Sequence, residues 1–118
     1  METYIQKDEN GSCFYYCDEK MTTLHKEDGP AMIWEDGTKA WYRDGVLHRE
    51  DGPAVEYADG NRSWYRHGKL HRAGGPALEL TDEEDEYYVH GNHYTRDEYR
   101  SWYFEYLRQN TPVEDWPF

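Results

Sequence analysis

The sequence predicts a mainly β fold: stacked antiparallel β-hairpin repeats of 23-residue period, forming a single sheet capped by a C-terminal α-helix. Three observations predict it. A unit opens at Leu24-His25, Leu47-His48 and Leu70-His71, continues with Gly-Pro-Ala at 29–31, 52–54 and 75–77, and carries an aromatic pair at Trp41-Tyr42, Trp64-Tyr65 and Tyr87-Tyr88. The first two units agree at 13 of 23 positions and the next two at 11, and a fixed period of this kind marks units that are completed by their neighbours. Within the first two units an Asp-Gly pair interrupts residues suited to strands, and after Tyr94 the apolar spacing becomes helical.

Composition bounds the reading. One domain of 118 residues has room for a thin core. Leu, Ile, Val and Phe total only 15, and the formal charge is −12, a balance that alone would suggest disorder. Twelve Tyr and five Trp reverse that, because aromatic side chains carry large apolar area and favour strands, so an aromatic core is expected. Apolar runs are too short to cross a bilayer, and the start lacks the basic and apolar segments of a secretory signal. Cys13 and Cys17 have no companions and read as reduced thiols, so a cytoplasmic protein is expected. Net negative charge argues against direct nucleic-acid binding.

The elements follow in order. Residues 1–23 form a degenerate first repeat, in which Asn10-Gly11 and Tyr15-Tyr16 echo Asp36-Gly37 and Trp41-Tyr42. Residues 24–94 hold three hairpin repeats. Asp36-Gly37 and Asp59-Gly60 are expected as two-residue type I′ turns, with second turns at Asp44-Gly45, His67-Gly68 and His90-Gly91. That register opposes Glu35 to Thr38 and Met32 to Trp41. It puts Met32, Trp34 and Trp41, then Val55, Tyr57 and Trp64, then Leu78, Leu80 and Tyr87, on an inner face. Ala31, Ala54, Ala77 and the row Tyr42, Tyr65 and Tyr88 take the outer face. The third unit replaces Asp-Gly with Asp82-Glu83, inside an acidic run Asp82, Glu83, Glu84, Asp85 and Glu86 that reads as a solvated tip.

Residues 95–109 read as a capping helix. Thr95-Arg96-Asp97-Glu98 is a capping box, and Tyr99, Trp102, Tyr103, Tyr106 and Leu107 form one apolar stripe suited to covering the last hairpin. Residues 110–118 are a tail that Trp116 and Phe118 are placed to anchor.

The run Trp41-Tyr42-Arg43-Asp44-Gly45, His48, Gly52 and Asp59-Gly60, with its copy at Trp64-Tyr65-Arg66-His67-Gly68, His71, Gly75 and Asp82, resembles MORN-type repeats. The resemblance covers about residues 10–94, and the Leu-His-Arg-Glu-Asp-Gly-Pro-Ala wording is similar to divergent forms in bacterial and bacteriophage proteins. It implies an interaction scaffold and leaves the partner open.

The recurring chemistry is structural or recognitive. Equivalent histidines lie two strands, roughly 10 Å, apart, too far to share one zinc ion, so His25, His48 and His71 are expected to bond neighbouring turns. No catalytic motif occurs, and neither an enzyme nor a cofactor is expected. The candidate binding surface comprises Tyr42, Tyr65, Tyr88, Arg43, Arg66, His48, His71 and the acidic run 82–86. The expected partner is a protein, in its concrete form a basic, nucleic-acid-binding component of a bacterial defence complex inhibited by a phage-encoded chain. Two alternatives remain. Arg43, Arg49, Arg66 and Arg72 recur in register, as a sponge for an anionic nucleotide would need, and sheet edges permit self-association.

Overall fold

The computed structural model describes residues 2–115, so the expected anchoring by Trp116 and Phe118 lies outside the described residues. The strands are β1 Tyr4–Lys7, β2 Cys13–Tyr16, β3 Met32–Ile33, β4 Lys39–Ala40, β5 Tyr42–Arg43, β6 Val46–Leu47, β7 Val55–Glu56, β8 Arg62–Ser63, β9 Tyr65–Arg66, β10 Lys69–Leu70, β11 Leu78–Glu79, β12 Tyr87–Val89 and β13 Asn92–Tyr94. Helix α1 spans Arg96–Asn110, and a short 3-10 turn covers Val113–Asp115.

A mainly β chain with one C-terminal helix is therefore what forms. The single sheet is corrected: a seven-stranded antiparallel sheet, ordered β1-β2-β3-β4-β7-β8-β11, is joined by three two-stranded ribbons, β5-β6, β9-β10 and β12-β13. The ribbons are tied in series, since the N–H groups of Gly45, Gly68 and Gly91 donate to the carbonyls of Leu24, Leu47 and Leu70. The chain is elongated: its radius of gyration is 16.7 Å, against about 13.5 Å for a compact chain of this length.

The turn assignment is corrected too. Gly37 N–H donates to Trp34 O and Trp34 N–H to Thr38 O, and only Gly37 has positive φ, so Glu35, Asp36 and Gly37 form a three-residue loop. That is a type I turn closed by a left-handed glycine. Asp8 to Ser12 repeats it with Gly11, and Tyr57 to Asn61 with Gly60. The type I′ turns are the second set: Asp44-Gly45, His67-Gly68 and His90-Gly91 all have positive φ at both residues, and Arg43 pairs directly with Val46.

One extra loop residue moves the register by one, and with it the faces. Met32 opposes Ala40, and Trp41 and Trp64 lie beside Ala54 and Ala77, to whose carbonyls their N–H groups donate at 2.7 Å. Trp41 and Trp64 therefore leave the face of Met32, Trp34, Val55 and Tyr57, and strand alternation puts Tyr42 and Tyr65 there instead. The expected aromatic core is corrected in the same step. Ala31, Ala54 and Ala77 are completely enclosed, Ala40, Val55 and Val89 are buried, and Trp34 and Tyr57 are exposed. Small residues fill the interior and large rings lie over them.

Helix α1 starts as its sequence requires. Thr95 Oγ1 accepts from Glu98 N–H while Glu98 returns a bond to Thr95 N–H, satisfying two donors that the first turn leaves free. Its stripe packs Tyr99 against β12, and Tyr99 is the helix's buried residue among those described.

Candidate binding surface

The buried histidines hold the ribbons. His25, His48 and His71 Nδ1 accept from the backbone N–H of Asp44, His67 and His90 at 2.9, 2.9 and 3.1 Å. Those three donors belong to the left-handed residues of the type I′ turns, so each ring fixes a turn that its own backbone would avoid. An accepting Nδ1 places the proton on Nε2. Burial, then His90 and Arg66, push His71 down to about 4, and burial foremost lowers His48 against an opposing effect of Glu50. His48 and His71 thus sit beneath the surface rather than on it.

On the alanine face the aromatic rings are covered one by one. The Arg49 guanidinium lies 3.8 Å from the centre of the Trp41 ring, and Arg72 lies 3.8 Å from that of Trp64. Arg49 also bonds Asp51, Glu56 and the Pro53 carbonyl, and Arg72 bonds Glu79 and the Pro76 carbonyl. Lys26 covers Tyr15 at 4.0 Å, and Tyr99 of α1 covers Tyr87 at 4.7 Å. The close approach explains Gly52 and Gly75, where an added Cβ would stand 2.8 and 2.7 Å from the guanidinium carbons. Sequence periodicity alone did not reveal this stacking, although the signal is present: Arg follows Trp by eight residues and Gly follows Arg by three.

The other face is open. Tyr42, Tyr65 and Tyr88 are half-buried, and burial followed by the phenols of Tyr57, Tyr42 and Tyr88 raises the pKa of Tyr65. These rings therefore share a neighbourhood. Trp34 meets the edge of Phe14 at 5.4 Å and is otherwise well exposed. Arg43 and Arg66 are exposed, near His48 and His71 respectively. Residues Asp82 to Asp85 are exposed and Glu86 half-buried, with Asp85 accepting from Leu80 N–H to shape that tip.

Two open grooves, of about 520 and 340 Å3, lie between successive Gly-Pro turns. Both mix cations with carboxylates, and Tyr106 of α1 closes one side of the second. Cys13 and Cys17 are free thiols. Among the described residues no group of three or more His, Cys, Asp or Glu side chains is placed to hold a metal ion, and no helix is long and apolar enough to cross a membrane. No family model, curated protein or solved structure matches the chain.

Proposed function

We propose that this chain is a non-enzymatic interaction module, a MORN-like hairpin-repeat protein of 23-residue period that binds a basic protein partner through the open face of its sheet. The observation that carries the reading is an open, regularly spaced aromatic face on a chain of formal charge −12. A fixed acidic surface steers cationic partners and speeds their encounter, an effect that salt weakens. In its concrete form the partner is a nucleic-acid-binding protein of bacterial defence and the chain a phage-encoded inhibitor acting in the host cytoplasm. The nucleotide-sponge alternative loses support from the site, because Arg49 and Arg72 are already held by indoles and carboxylates.

The test is affinity capture from bacterial lysate with mass spectrometry, followed by titration of the recovered protein. The expected partner is a basic nucleic-acid-binding protein, bound about tenfold more weakly by Tyr42→Ala/Tyr65→Ala than by the parent chain. Recovery of no stoichiometric partner, or of acidic proteins only, contradicts the reading.

A further inference from the structure

We infer that the aromatic face beside the hairpin tips docks a polyproline II segment of the partner, with an arginine at every third position. This rests on the protein-binding reading and specifies the chemistry it recognises. Because neighbouring strands run antiparallel, the loops at residues 8–12, 34–38, 57–61 and 80–85 all emerge at one end of the large sheet. Just behind them, on the open face, stand Trp34 and Tyr57, 43% and 45% exposed, with half-buried Leu80 at the corresponding place in the next hairpin. Trp34 meets Phe14 on one side, and the area that Trp34 and Tyr57 leave exposed is apolar surface offered to a partner.

Charge identifies the occupant. The four loops contain nine carboxylates, at positions 8, 9, 35, 36, 59 and 82–85, and no Lys or Arg. Aromatic faces bordered by carboxylates suit guanidinium groups, which stack on rings and bond carboxylates at once. The molecule already uses that combination at Arg49, which stacks on Trp41 and bonds Glu56.

Spacing identifies the conformation. Successive hairpin tips are two strands apart, roughly 10 Å. A polyproline II helix repeats every three residues, about 9.3 Å, so its side chains at every third position meet successive tips. An extended β-strand points such residues to alternate sides and fails to match. Aromatic-lined surfaces also receive polyproline II chains because these enter already ordered.

The tips are preorganised. Ser12 Oγ accepts from Glu35 N–H, Thr38 Oγ1 from Ala58 N–H, and Asn61 Oδ1 from Thr81 N–H, at 3.1, 3.1 and 2.8 Å. Each hairpin is thereby pinned to the next at its loop, which keeps the spacing of the rings and carboxylates fixed.

The probe is a fluorescein-labelled peptide of five Arg-Pro-Pro repeats, followed by anisotropy at low salt beside a peptide of the same composition with its arginines in one block. The expected result is binding at least tenfold tighter for the repeating peptide. Trp34→Ala/Tyr57→Ala should weaken it at least tenfold with the circular dichroism and urea midpoint little changed. Asp36→Asn/Asp59→Asn keeps the side-chain oxygens that bond the Thr38 and Asn61 N–H groups, so it tests charge without opening the loops. It should weaken binding several-fold more than Glu19→Gln/Glu114→Gln, which removes equal charge elsewhere. No binding, equal affinity for the block peptide, or equal loss in the two charge variants overturns the site. A captured protein whose affinity ignores Trp34 and Tyr57 also overturns it, while leaving the interaction reading standing.

Discussion

The middle of the stack and its end solve one problem by different means. Around Trp41 the ring is covered by Arg49, whose charge is met by Asp51 and Glu56 within the repeat pattern. Around Tyr87 the ring is covered by Tyr99 of α1, and the repeat departs from its pattern to admit the helix. Glu50-Asp51 of the middle unit becomes Ala73-Gly74, and the freed N–H groups of Gly74 and Gly75 donate to Tyr99 Oη, which donates in turn to the Arg72 carbonyl. Gly74 has φ +106, and a Cβ there would stand 3.4 Å from the Tyr103 hydroxyl. His71 changes company as well: His48 has Glu50 3.5 Å from its Nε2, whereas His71 meets the edge of Trp102 at 5.8 Å. Beside the helix, small residues stand where the middle of the sheet carries carboxylates, and the N–H groups of Gly74 and Gly75 meet Tyr99.

Tyr99→Ala should break the end most severely. It removes a buried ring and three hydrogen bonds, so a loss of about 3–5 kcal/mol in urea unfolding is expected, with Tyr99→Phe at about 1–3 kcal/mol. Equal effects of Tyr99→Ala and Arg49→Ala would erase the distinction between end and middle.

Acid should act next, through His71. Its native pKa of about 4 lies below the ordinary histidine value, so the unfolded chain binds the proton more readily. The stabilisation is present in full above about pH 6.5 and is lost as pH falls toward 4, about 2 kcal/mol after allowing for solvent access. Urea midpoints at pH 7.5, 5.5 and 4 check this, and stability that rises on acidification over that window would contradict it.

A smaller effect is expected from Gly52→Ala. The added methyl displaces Arg49 from Trp41, destabilising by about 1–2 kcal/mol. Arg49→Lys, which keeps the charge but loses the planar fork, should cost about 0.5 kcal/mol. Urea titrations of the two variants, with near-ultraviolet circular dichroism for the indole, rank them.

The sequence carried the helix start, the role of the recurring histidines and the positions of the turns. Each rests on local chemistry: Thr95 and Glu98 are three residues apart, and each buried histidine bonds a turn 19 residues on. It did not carry the face assignment, because Asp36-Gly37 and Asp44-Gly45 are the same dipeptide in two different turns. What separates them is the ladder beyond the turn, Met32 with Ala40 and Arg43 with Val46, which is a property of several strands together. The same slip concealed part of the candidate surface. Trp34 and Tyr57, expected inside, are open, while His48 and His71, expected on the surface, are buried. The short polar residues after each loop glycine, Ser12, Thr38 and Asn61, were visible in the sequence, but their role in joining adjacent tips depends on the sheet.

Everything proposed for the open face depends on the three-residue loops and the register they impose. Proton NMR on the isotopically labelled chain tests it most directly, through cross-relaxation between the Trp41 indole and its neighbours. The expected result is contact from Trp41 to the Ala54 methyl and the Arg49 side chain, with Trp34 contacting Phe14. Contact from the Met32 methyl to the Trp41 indole would contradict it, since only a two-residue loop puts those side chains on one face.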